Sequence, residues 1–226
     1  MGQLELFKEQ NTGMAFETTG YFIDKQETGS LPNLSGLYEL SVDAYYAAIH
    51  AAMSELPIKA EILRFIEKVR NTMDREAAAR AAFNRSDPDV YIVLKAAYKV
   101  QHEVHRLTGL LRFKVNHDGV YIARCSPDHF ILPALAEHFS MRFGETPWMI
   151  IDEKRNYCIC RGKGDEARLF PVMADSALLK KEDAKDGWED LWRLYHRSVN
   201  NEKRKNLKLQ RQFMPERYQK YLTELQ

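Results

Sequence analysis

The feature that most restricts this chain is a run of punctuation between Ser86 and Phe143, which forces a helix, a tight hairpin and a second helix to succeed one another. Ser86-Asp87-Pro88-Asp89 opens the first helix. Asp87 can accept from orphan amides of the first turn, and Pro88 fits there because its missing N–H has no intrahelical partner to lose. Val90, Val93, Leu94, Ala97, Val100, Val104 and Leu107 then recur at helical spacing and form one apolar stripe. Gly109 is expected to stop the helix. Strands are expected over residues 110–115 and 120–124, because Asp118-Gly119 suits a two-residue turn. That turn pairs Val115 with Ile122 and sets Arg112, Lys114, Asn116 and Tyr121 on the face opposite Leu111 and Phe113. Pro127 and Pro133 interrupt the segment after the hairpin, so Asp128 and His129 fall on an irregular connection and a helix starts near Pro133, continued by Leu135, Phe139 and Phe143.

The flanking segments complete an α+β class. Ser41 can cap a helix with the stripe Val42, Tyr45, Ile49 and Met53. Pro57 opens the next, whose buried face is Ile58, Ile62, Phe65, Ile66 and Val69, and residues 74–83 are alanine-rich and helix-prone, so 41–108 form a helical layer. Residues 148–152 and 157–161 read as strands, and 168–172 as an edge strand because Pro171 does not suit a central one. The expected architecture is an N-terminal helical layer packed with an antiparallel sheet, ordered strand-strand-helix-strand-strand, and a basic C-terminal helix. Residues 1–40 are expected to be loosely ordered, with a short strand near 21–23, and 41–226 to form one domain. Residues 174–187 read as a surface connection. In the last helix, Trp188, Leu191, Trp192, Tyr195 and Val199 share a stripe with enough aromatic area to dock on the body.

The net charge of +1 hides an asymmetry: residues 1–40 hold two Lys against six acids, whereas 193–220 hold nine Lys and Arg against two Glu. A polyanion partner and a merely solvated helix face account for this equally well. Cys125, Cys158 and Cys160 are too few and too irregular for a disulfide framework, which makes buried reduced thiols the expectation. No apolar run reaches spanning length, so a cytoplasmic protein with no membrane partner is expected. No phosphate-binding glycine loop, nucleophile elbow or paired-cysteine metal motif occurs, and the sequence points to no cofactor or metal. His102-Glu103-Val104-His105 spaces its histidines three apart where the zinc-protease helix needs four, and His105-Arg106 reads as the polar edge of the helix.

Three separated motifs carry a resemblance over residues 41–226. They are His105-Arg106-Leu107-Thr108-Gly109-Leu110-Leu111-Arg112-Phe113, the connection from Ser126-Pro127-Asp128-His129 to Leu132-Pro133, and Val199-Asn200-Asn201-Glu202-Lys203-Arg204 with Met214-Pro215-Glu216-Arg217-Tyr218. In these the chain resembles an uncharacterised bacterial family described as probable DNA-metabolism or repair proteins. That family accompanies a radical-SAM protein and also occurs fused ahead of a uracil-DNA-glycosylase domain. The resemblance implies a nucleic-acid-binding accessory acting with a radical-SAM partner, without implying a reaction. Candidate nucleic-acid contacts are Arg112, Lys114, Tyr121, Arg193, Arg197, Lys203, Arg204, Lys205, Lys208 and Arg211, because cationic side chains and stacking aromatics are what phosphates and bases require. The alternative is a hydrolase or nucleobase-modifying enzyme with Asp128 and His129 as its catalytic pair, a carboxylate beside an imidazole on a loop. Topology is expected to bring Arg112, His138 and Arg142 toward that pair.

Overall fold

The computed structural model describes residues 34–172, 187–201, 204 and 206–225. The strand expected near 21–23 and the connection expected over 174–187, as far as residue 186, lie outside them. The chain divides into two compact units: one runs to Val104 and also takes Asp128–Ile131, and the other takes His105–Pro127 and the chain from Leu132 onward. The helical layer and the sheet thus belong to different units, with the division inside one long helix.

The helical unit holds α1 (Ser35–Leu40), α2 (Val42–Ala52), α3 (Lys59–Arg70), α4 (Arg75–Ala82) and the first part of α5 (Pro88–Leu110). Its helix starts obey the capping chemistry of the sequence. The Ser41 hydroxyl accepts from the Ala44 amide at 3.2 Å, Asp74 accepts from Ala77 at 2.7 Å, and Asp87 accepts from the Asp89 and Val90 amides at 2.9 and 3.2 Å. Ile62, Phe65, Ile66 and Val69 are buried together with Val90, Val93 and Ala97. On α2 the buried face is instead Ala44, Ala47, Ala48, Ile49 and Ala51, while Val42 is exposed. Small alanines suit a face that lies close against neighbouring helices. An ion-pair knot of Arg64 and Lys68 with Asp87 and Asp89, at 2.6–2.8 Å, ties α3 to the start of α5 and holds the Asp89 carboxyl down at about 2.

The second unit is built on a five-stranded sheet in the order β1 (Phe113–Val115), β2 (Tyr121–Cys125), β3 (Trp148–Asp152), β4 (Tyr157–Arg161), β5 (Arg168–Pro171). The sheet is mixed rather than antiparallel throughout, because β2 and β3 run parallel. Helix α6 (Leu132–Phe143) lies between them in sequence and returns the chain to the end of the sheet where β2 began, which makes the next strand a parallel neighbour. The other pairings are antiparallel, and Pro171 sits on the edge strand as expected. Strand β3 is buried along its length. Helix α6 covers one face, where Phe139 and Phe143 meet Phe113 at 5.0 and 4.7 Å between ring centres and Phe143 meets Tyr121 at 5.1 Å. Met149, Ile151, Cys158, Cys160 and Val172 form a separate cluster with Ile122 and Phe170.

Two local expectations are corrected. Helix α5 runs past Gly109 to Leu110, with the Leu111 amide still bonded to the Leu107 carbonyl at 3.0 Å, so Gly109 lies within the last helical turn and β1 starts only at Phe113. The hairpin loop is three residues, His117 to Gly119, not two. Asn116 accepts from the Asp118 and Val120 amides at 3.0 and 2.9 Å, and Gly119 alone takes a positive φ of 76°, so the strands pair one residue out of the expected register. Val115 therefore faces Tyr121, and Lys114 faces Ile122.

Candidate nucleic-acid interface

The register shift separates the residues that the sequence grouped. Tyr121 moves to the face that carries Phe113 and α6, away from Lys114, because one residue of slip exchanges the faces of a strand. Tyr121 therefore does not share a sheet face with Lys114.

Arg112 and Lys114 are met by acidic residues from the C-terminal region, which contains α7 (Gly187–Val199), α8 (Leu207–Phe213), α9 (Glu216–Gln219) and a closing 3-10 turn (Thr223–Leu225). Arg112 donates to both oxygens of Glu224 at 2.6 and 3.2 Å, and Lys114 lies 2.8 Å from Glu189. Arg193 donates to the Thr223 carbonyl at 3.1 Å and pairs with Asp190 at 3.0 Å. Of the candidate nucleic-acid contacts, Arg112, Lys114 and Arg193 are therefore each paired with an acid. Arg197 is exposed, as are Arg204 and Lys208, and among the described residues none of the three makes an ion pair. Arg211 is exposed and 3.4 Å from Glu216. Lys203 and Lys205 lie outside the described residues.

The part of the α7 stripe that is described is exposed, and the Trp188 side chain lies outside the described residues. Trp192 is 39%, Tyr195 55% and Val199 57% exposed. What anchors the C-terminal region is the end of the chain: Tyr218 and Leu222 are buried, and the Tyr221 hydroxyl donates to Glu153 at 2.7 Å. Burial and that acceptor push the Tyr221 phenol well above its ordinary range. Trp192 is nonetheless fixed in place. Its indole N–H donates to Glu224 at 3.0 Å, and the Arg112 guanidinium lies 5.5 Å over its ring. Burial opposes the charge on Glu224, but the hydrogen bonds from Arg112 and Trp192 outweigh it and hold the carboxyl below the usual range. Arg112, Phe113, Glu189, Leu191, Trp192, Tyr195 and Thr223 line a cleft of about 510 Å³.

Asp128 and His129 fall in the helical unit, where their loop is held by Glu103. This carboxylate, 3% exposed on α5, accepts from the amides of both residues at 2.8 Å. His129 Nδ1 in turn accepts from the Glu55 amide at 3.4 Å, and the Phe130 amide donates to the Met53 carbonyl at 3.0 Å. The geometry secures a loop that two prolines keep irregular. Arg112, His138 and Arg142, expected near the pair, belong to the other unit. Sequence reasoning missed Glu103, which stands three residues after Val100 and four before Leu107 and so lies on the apolar stripe. A carboxylate on a core stripe signals a buried acceptor with a fixed task.

All three cysteines are buried thiols outside any disulfide. Burial pushes Cys160 up to about 12 and Cys158 higher still, so neither is a thiolate nucleophile. Among the described residues no group of three or more His, Cys, Asp or Glu is placed to hold a metal ion, and no helix is long and apolar enough to cross a membrane.

Fold and site together define an α+β protein with a helical unit, a mixed five-stranded sheet, and a cationic C-terminal region that presents aromatics beside a cleft. The chain belongs to the family described as a domain of unknown function, DUF4130, which matches residues 57–224. No curated protein and no solved structure matches it.

Proposed function

We propose that this protein is a nucleic-acid-binding accessory in DNA metabolism or repair that acts with a radical-SAM partner. The observation that carries the reading is the C-terminal region, where the exposed cations Arg197, Arg204 and Lys208 accompany the exposed rings of Trp192 and Tyr195. Phosphates need the first group and bases the second. The resemblance in three ordered motifs supplies the repair context and the partner. Gel shifts with single- and double-stranded DNA at low salt test the binding. Replacing Lys203, Arg204 and Lys205 by Ala should weaken it without unfolding the protein, and absence of any shift with the unaltered chain would sink the reading. Co-purification with the radical-SAM protein tests the partnership separately.

A second reading, a hydrolase or nucleobase-modifying enzyme, has one observation on its side: Glu103 fixes the backbone of Asp128 and His129, so their side chains leave a rigid loop. Under it, Asp128→Asn and His129→Ala abolish turnover of nicked, uracil-containing or modified oligonucleotides and spare binding. No turnover in that screen with the partner present would eliminate this reading.

A further inference from the structure

We propose that the cleft beside α7 receives an unpaired nucleobase, stacked on Trp192 and Tyr195. The inference rests on the nucleic-acid reading and names what this site takes. Its volume of about 510 Å³ lies in the range of sites that enclose a small ligand. Its walls are of two kinds. Trp192, Tyr195 and Leu191 supply flat or apolar surface, and Arg112 and Glu189 supply a guanidinium and a carboxylate. The two charged groups are engaged by Glu224 and Lys114, so a base would be held here through its π-face on the first set.

Preorganisation favours a flat occupant. An exposed aromatic on an amphipathic helix ordinarily reorients freely, yet Trp192 is tethered at its N–H by Glu224 and flanked by Arg112, which Glu224 itself holds through two hydrogen bonds. Tyr195 lies 5.7 Å from it between ring centres at 35°, so the two rings are in tilted contact. Such a platform loses little freedom on binding. Charge complementarity selects the polymer: an apolar protein segment would use the rings but not the exposed Arg197 two residues beyond Tyr195 on the same helix, whereas a single-stranded nucleic acid uses both.

The test uses the full chain and a single-stranded oligonucleotide with one 2-aminopurine, whose fluorescence falls when the base stacks. The proposal expects quenching on binding, and it expects Tyr195→Leu to reduce both the quenching and the affinity, the latter about tenfold. Tyr195 is exposed and outside the Glu224 network, so this change leaves the fold intact; Trp192→Leu should repeat the effect. An oligonucleotide abasic throughout should bind the wild type and the Tyr195 variant equally weakly. If the oligonucleotide binds but quenching and affinity are unchanged in both variants, the base site is wrong while nucleic-acid binding stands. Unchanged DNA binding with loss of self-association in the Tyr195 variant would assign the cleft to a second copy and overturn the proposal. Failure of every oligonucleotide to bind at low salt would overturn both.

Discussion

Glu224 organises more of the candidate site than any other single residue, because one carboxylate orients both the Arg112 guanidinium and the Trp192 indole. Its side chain is only 4% exposed, so removing its charge leaves Arg112 without its acidic partner. Glu224→Gln should cost about 1.5–3 kcal/mol, the range for hydrogen bonds to charged groups, read as a lower urea midpoint at neutral pH. The pH dependence has a definite sign. The folded-state pKa is depressed, so the stabilisation is complete above the ordinary glutamate value of about 4.3 and is lost as pH falls through the folded pKa. The gap between wild type and variant should therefore close in acid; a gap that persists or widens there would show that the carboxylate charge is not what stabilises. Glu103 makes a parallel prediction in the helical unit. Glu103→Ala strips an acceptor from two amides and should cost about 1–3 kcal/mol for each donor left buried, measured the same way.

At the scale of elements, two glycines should respond oppositely to the same substitution. Gly109 is exposed inside α5 with nothing within 4 Å of an added methyl group, so Gly109→Ala should stabilise by about 0.5–1 kcal/mol. Gly119 also has open space but a φ of 76°, so Gly119→Ala should destabilise by about 1–2 kcal/mol. Thermal unfolding of the two variants checks both expectations, and the Gly109 result separates a helix that runs through Gly109 from one that stops there. The contrast shows what was legible. Caps at Ser41 and Asp87 and the α3 and α5 stripes act through neighbours in sequence, and they were readable. The loop length was not, because it depends on whether the Asn116 side chain takes up two amides, a choice that Asp118-Gly119 leaves open. The helix between β2 and β3 was read in its place, yet the sheet was expected to be antiparallel throughout, because the end of the sheet to which a helix returns the chain is a tertiary fact. The α7 stripe has helical spacing whether or not anything covers it. Burial is a tertiary fact, and here Tyr218 near the end of the chain has it instead. Tyr218→Ala should accordingly cost about 3–5 kcal/mol and Tyr195→Ala less than about 0.5 kcal/mol in urea unfolding.

For the molecule as a whole, a formal net charge of +1 gives no hint of polyanion binding; its distribution does, and the structure sorts the cations that contribute. Arg112, Lys114 and Arg193 are engaged by Glu224, Glu189 and Asp190, and serve to hold the C-terminal region in place. Arg197, Arg204 and Lys208 remain exposed, and on them rests the claim that this family member binds nucleic acid. The most direct measurement is the salt dependence of single-stranded DNA affinity, by fluorescence anisotropy, for the wild type and for the triple variant Arg197→Ala, Arg204→Ala, Lys208→Ala. Each lost phosphate contact should flatten the slope of log K against log salt by about 0.7, so the triple variant should be shallower by about 2 and bind more weakly at low salt, with its thermal stability unchanged. Equal slopes and affinities for the two proteins, or no binding by the wild type at low salt, would contradict the account.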